Sequence, residues 1–309
     1  MAVKVVEEWF NSCSGCEISI LNMGDALVDL LPELEFLHIP VIMDHKYFGQ
    51  TGEGGQLEIP EADVAIVSGG IRNEEHKEVL EEIRKKCKTL IALGTCATHG
   101  GIPAMANMWS KEEALKCIYS TVTTDPTEPP TDVPAWLDRV YAVDEIVKVD
   151  VYIPGCPPHP KNIADALTAL LKGETWSLPE RSVCDTCPTV REKKSASGTI
   201  KRSLENLDFD PDAPIDTMRC IMEQGFICLG PVTKAGCRGD SDAPRCIKAR
   251  IGCRGCFGPI RKGARPLVDM MAAWTSVGVN AQTVPDRRAL LNRFIGAHNN
   301  LRPLPTRRR

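Results

Sequence analysis

The feature that most constrains this chain is its 14 cysteines, which fall into two unlike sets. Cys13, Cys16, Cys87, Cys96, Cys117 and Cys156 are spread thinly over the first half. Cys184, Cys187, Cys220, Cys228, Cys237, Cys246, Cys253 and Cys256 crowd one stretch of the second. The opening Met1-Ala-Val-Lys-Val-Val lacks the basic, apolar and small-residue succession of a secretory signal, and it lacks a twin-arginine pair, so the expectation is a cytoplasmic protein. In a reducing compartment, thiols at this density serve as metal ligands or redox groups rather than disulfides.

The density shift also marks a boundary. A chain of 309 residues suggests two domains. Gly173 and Pro179 interrupt a helical pattern where the cysteine spacing changes, which divides the chain into residues 1–174 and 175–309. With 43% hydrophobic residues, 25% charged residues and a formal net charge of −4, the composition is globular, and it is less basic than a nucleic-acid binder. No apolar run approaches the roughly 18 residues of a membrane span.

The first half alternates short apolar runs with helical patterns. Strands are expected at residues 3–10, 35–43, 62–68, 89–93 and 149–153. Helical patterns fall at Ile20, Leu27 and Leu31, within residues 73–88 and within residues 161–172. Repeated strand-helix-strand units imply an α/β domain with a flavodoxin-like, doubly wound parallel sheet. Such sheets bind ligands outside the carboxyl ends of their strands. Cys13 and Cys16 follow the first strand, Cys96 the fourth and Cys156 the fifth. Four thiolates converging there make the ligand set of a 4Fe-4S cluster, with Gly15, Gly94 and Gly155 allowing tight turns and Pro157 and Pro158 stiffening the last loop. The competing reading is that these are loop thiols filling space. Cys87 lies on the apolar stripe of its helix, beside Ile83, and is expected in the core. Cys117 has no cysteine partner nearby.

The second half is poor in periodic apolar runs, and residues 191–219 read as connecting loop. Metal-thiolate bonds can supply the missing folding energy. Two C-x-x-C pairs, Cys184 with Cys187 and Cys253 with Cys256, flank Cys220, Cys228, Cys237 and Cys246. Eight thiolates make two four-ligand sites, and on spacing alone both iron-sulfur clusters and structural zinc remain open.

Further motifs carry a resemblance. Cys13-Ser-Gly-Cys16, Gly94-Thr-Cys-Ala-Thr-His-Gly-Gly-Ile-Pro103, Pro154-Gly-Cys-Pro-Pro158, Gly230-Pro-Val-Thr233 and Gly252-Cys-Arg-Gly-Cys-Phe257 resemble, in order and over nearly the whole chain, the small subunit of nickel-iron hydrogenases. The chain is most similar to the gamma subunit of the methanogen viologen-reducing type associated with heterodisulfide reductase. The resemblance implies a flavodoxin-like domain followed by a loop-rich iron-sulfur-binding C-terminal domain. It implies three 4Fe-4S clusters: proximal on Cys13, Cys16, Cys96 and Cys156, medial on Cys237, Cys246, Cys253 and Cys256, and distal on Cys184, Cys187, Cys220 and Cys228. It places the nickel-iron centre on a large partner subunit and implies onward transfer to a 2Fe-2S subunit and the FAD of heterodisulfide reductase.

Two positions depart from the membrane-linked relatives. Cys184 stands where they carry histidine and Cys246 where they carry proline, so the resemblance implies an all-cysteine, low-potential path. Glu17, next to Cys16 at a helix start, is a candidate proton relay or simply a favourable charge at the positive helix end. His99 is a candidate for the partner interface. Residues 49–55 are glycine-rich without the Gly-Lys-Ser/Thr of a phosphate loop and read as a docking or mobile loop. Residues 125–134 read as an irregular excursion and Arg307-Arg-Arg309 as a solvated tail. The alternatives are a deazaflavin- or NAD(P)-reducing hydrogenase, a structural zinc scaffold, and the small subunit of a respiratory quinone reductase. The last usually carries adjacent cysteines at the first motif, and Cys13-Ser-Gly-Cys16 argues against it.

Overall fold

Strands buried on both faces need helices above and below, and the first half is built that way. The computed structural model describes residues 2–40, 47, 57–123, 128–193, 198–201 and 207–304. Its strands are β1 (Val3–Trp9), β2 (Leu34–His38), β3 (Ala62–Ser68), β4 (Ile71–Asn73), β5 (Cys87–Leu93), β6 (Trp136–Tyr141) and β7 (Val151–Ile153). Five of them form one parallel sheet in the order β2-β1-β3-β5-β7, the doubly wound topology expected.

Alternate residues of the central strands enter opposite cores, as a period of two requires. Val6, Ala65, Val67, Leu90 and Ala92 join one cluster with Val79, Leu80 and Ile83. Val5, Val64, Ile66, Ile91 and Leu93 join the other with Ile163, Ala166 and Leu167. The helices of this unit are α1 (Gly15–Leu21), α2 (Asp25–Leu30), α3 (Glu74–Lys86), α4 (Gly94–His99), α5 (Lys111–Tyr119) and α6 (Pro160–Leu171), of which α5 buries none of its residues.

Several local expectations change. The helix after Cys16 is two short helices, because the chain turns at Gly24, whose φ is +61°. Cys87 opens β5 instead of ending α3, and the Arg84 guanidinium donates to the Cys87 and Lys88 carbonyls at 2.9 and 3.0 Å, closing the helix there. It is buried in the core all the same. The antiparallel pair β4 and β6 is an addition to the expected strands. Residues 49–55 and 307–309, the expected docking loop and tail, lie outside the described residues, and so does part of the 125–134 excursion.

The chain forms two units, Met1–Ser177 with Phe294–Arg309, and Leu178–Arg293. Residues 294–303, expected with the second domain, pack in the first unit instead. Ile295 and Leu301 are buried, Asn107 Nδ2 donates to the Gly296 carbonyl at 3.3 Å, Ala297 N–H donates to the His99 carbonyl at 3.1 Å, and His298 Nε2 lies 2.6 Å from Asp144 Oδ1. The second unit contains α7 (Arg245–Lys248), α8 (Pro266–Ser276) and α9 (Arg287–Asn292) joined by irregular chain. It has more apolar core than its sequence pattern suggests. Met270 and Trp274 of α8 are fully buried with Leu229, Val232, Val279, Val284 and Leu291. Among the described residues no helix is long and apolar enough to cross a membrane.

Candidate functional site

The carboxyl ends of β1, β5 and β7 lead directly into the cysteine-bearing loops of the first unit. Cys13 and Cys16 follow β1, with Cys16 in the first turn of α1 and Cys96 in α4. Thr95 N–H donates to the Gly155 carbonyl and Gly155 N–H donates to Thr95 Oγ1, each at 2.8 Å, which ties the Cys96 loop to the Cys156 loop. Gly94 has φ +82°, and a Cβ there would lie 2.3 Å from Cys16 Sγ, so this loop accepts no side chain beside the thiol.

The four thiols act on one another electrostatically. Burial pushes Cys16 far above the usual thiol range, and the charges of Glu17, Cys96, Cys156 and Cys13 push it further. Burial and the charges of Cys156 and Cys13 raise Cys96 to about 12 against a backbone hydrogen bond at Ile102. Burial and Cys13 raise Cys156.

In the second unit, Cys184, Cys187, Cys220 and Cys228 together line a cavity of about 470 Å³. Burial and the charges of Cys228, Cys187 and Cys220 raise Cys184 to about 12 against the Arg191 guanidinium. Burial raises Cys228 to about 11, held back by the backbone N–H groups of Gly230 and Cys253. Cys187 Sγ lies 3.1 Å from Thr189 Oγ1. Among the remaining four, Cys246 acts electrostatically on Cys237 and Cys256 acts on Cys253. Burial raises Cys237, with Cys246 adding to it, and burial raises Cys253, with Cys228 and Cys256 adding to it. Cys237, Cys253 and Cys256 share one hydrophobic cluster with Cys228 and Cys187.

These groups fit an iron-sulfur centre. Among the described residues no three His, Cys, Asp or Glu side chains close on one point tightly enough for a single metal ion. Four thiols in a set match the ligand number of a 4Fe-4S centre, and the same number also serves tetrahedral zinc. Desolvation favours the protonated thiol at Cys16, Cys96, Cys156, Cys184, Cys228, Cys237 and Cys253, so a cationic centre bound there would have to displace those protons. Cys117 is exposed on α5, away from these sets in the chain and without a cysteine neighbour in sequence.

Glu17 is buried at the start of α1, and Ser68 Oγ donates to its Oε1 at 2.6 Å. Beside it stands Glu7, a residue that the apolar reading of β1 passes over. Burial, then the charges of Glu17 and Glu8, push the Glu7 carboxyl up to about 8. Two adjacent glutamates after the apolar Val5-Val6 of β1 are the signal that could have found it. His99 Nδ1 lies 2.7 Å from Thr98 Oγ1, and its ring meets the His298 ring edge-on at 6.2 Å, so it is engaged within its own unit.

A family model described as NADH ubiquinone oxidoreductase, 20 Kd subunit, matches residues 13–170. The G subunit of the vhu F420-non-reducing hydrogenase of Methanocaldococcus jannaschii is 42% identical over 297 residues, covering 95% of each chain. Among solved structures, a chain of an NAD+-reducing NiFe-hydrogenase in the H2-reduced state is similar with TM-score 0.51 and 30% identity, covering 58% of this chain and 96% of that one. A chain of the reduced, active Ni-Fe-Se hydrogenase from Desulfomicrobium baculatum gives TM-score 0.51 at 18% identity, covering 90% of this chain and 99% of that one, a likeness of fold.

Proposed function

The chain belongs to the NADH ubiquinone oxidoreductase 20 Kd subunit family and, within it, to the small subunits of nickel-iron hydrogenases of the F420-non-reducing type, and from that premise we propose that it is the electron-transfer subunit of a cytoplasmic hydrogenase complex. The catalytic site of the oxidoreductase lies on the large subunit. Cys13, Cys16, Cys96 and Cys156 would hold the proximal 4Fe-4S cluster, Cys237, Cys246, Cys253 and Cys256 the medial one, and Cys184, Cys187, Cys220 and Cys228 the distal one. Such clusters supply one-electron redox steps when bound.

The protein's own part is to gather the thiols, exclude water and set the hydrogen bonds to sulfur. What carries the reading is the convergence of Cys13, Cys16, Cys96 and Cys156 where β1, β5 and β7 end. Exposed Ile18 and Leu21 on α1, the helix that contains Cys16, offer apolar surface for the large subunit. Glu17, hydrogen-bonded by Ser68 and next to Glu7, is the candidate for holding a proton at that face. The onward partners in this reading are a 2Fe-2S subunit and heterodisulfide reductase with its FAD. Similarity to the F420-non-reducing relative extends over 95% of this chain, against 58% for the NAD+-reducing structure, which favours this acceptor branch.

Anaerobic purification of the assembled complex tests the proposal. The expected result is a brown protein with about twelve irons per copy of this chain, co-purifying with a nickel-containing subunit. A colourless chain carrying zinc, or the absence of a nickel-containing partner, would overturn it.

A further inference from the structure

Cys228 and Cys253 belong to different sets of four, yet they are in direct contact within the second unit. The backbone N–H of Cys253 donates to Cys228 Sγ at 3.2 Å. In return, Leu229 N–H donates to the Cys253 carbonyl at 2.9 Å. Both cysteines are buried, so water does not compete for these bonds. The approach is very close: a Cβ on Gly252 would lie 2.1 Å from the Ile227 carbonyl oxygen and 3.2 Å from Cys228 Cα. Those obstacles are backbone atoms, which no change of rotamer moves aside.

We propose that the Cys253 N–H to Cys228 Sγ contact is the electronic bridge between the two thiol sets of the second unit, and that Gly252 is its positioning residue. The inference rests on the twelve-ligand reading. The route runs from Cys253 Sγ through its Cβ, Cα and N to the hydrogen bond on Cys228 Sγ, a few covalent bonds and one short polar contact. With iron-sulfur centres bound, Cys253 and Cys228 would be the two ligands between which one electron passes along this route, the donor centre being oxidised and the acceptor reduced by one electron, with no bond made or broken and no proton released. The same N–H tunes the acceptor, because hydrogen bonds to cluster sulfurs help set reduction potential. A donor aimed at a thiolate favours the more negative, reduced state and therefore raises the potential of the group on Cys228.

Gly252→Ala in the assembled complex tests both roles. The expected result is an unchanged iron content, a distal potential lowered by up to a tenfold change in the reduction equilibrium, about 59 mV for one electron, and weaker magnetic coupling between the two reduced centres. Gly198→Ala, where a Cβ meets nothing within 4 Å, leaves both quantities as they are. An iron-replete Gly252→Ala complex with unchanged potential and coupling overturns the bridge. Should that variant lose iron, the wild-type complex carrying 15N at the Cys253 amide alone decides the question by pulsed electron paramagnetic resonance. A hyperfine coupling from a cysteine amide nitrogen to the reduced distal centre supports the bridge, and its absence sinks it. A wild-type complex short of the second unit's iron would instead contradict the ligand reading, so the two failures are distinguishable.

Discussion

Glu7 is 3% exposed in the middle of β1, and burial with the charges of Glu17 and Glu8 holds its carboxyl at about 8 instead of 4.5. The folded state therefore binds more protons than the unfolded state between those two values, and stability falls as pH rises. The contribution is present in full below 4.5 and is lost as pH rises through about 8. We expect the loss to reach a few kcal/mol across the window. Glu7→Gln carries no charge to bury, so denaturant unfolding measured across this range should show a flatter dependence on pH. An identical slope in both proteins would refute the assignment. Residue by residue, the twelve cysteines proposed as ligands are legible because thiol spacing and motif order are written directly in the chain. Glu7 and the Cys253 amide are not, since their importance lies in burial and in a backbone distance that spacing does not encode.

Among the elements, α3 has an explicit start signal. Asn73 Oδ1 accepts from His76 N–H at 2.8 Å, and Glu74 and Glu75 occupy the first turn. Asn73→Ala should cost about 1 kcal/mol in unfolding free energy, with iron content unchanged. An unaffected stability would show that tertiary packing alone holds this end of the helix. Elements with a clean period are legible: β3 spans the expected 62–68, and α6 follows the pattern of residues 161–172 closely. Legibility fails where polar residues interrupt the period. β6 carries Asp138 and Arg139 within Trp136–Tyr141, and these hide a strand that pairs with only the short β4. In the second unit, α8 buries Met270 and Trp274 in a mostly apolar run where Asp269, Thr275 and Ser276 are too few to mark out a continuous polar face.

On the scale of the whole molecule, the proposed all-cysteine ligation predicts a direction for the distal potential. Cys184 lines the 470 Å³ cavity with three other thiols. Cys184→His replaces a thiolate with a neutral imidazole and should raise the distal potential without changing the iron count, and an anaerobic redox titration of the complex reads the shift. An unchanged or lower potential would contradict the placement of Cys184 in that ligand set. The division into units has a different consequence. The second unit is an insertion, entered after Ser177 and left at Arg293, and Ile295 and Leu301 are buried in the first. On a ribosome, the parts of the first unit on either side of the insertion are made at different times. Residues 178–293 have already emerged when the pieces that finish the first unit arrive. The later-numbered unit is thus complete in sequence before the last segment of the earlier one is made. Synthesis order and completion order run in opposite directions along this chain.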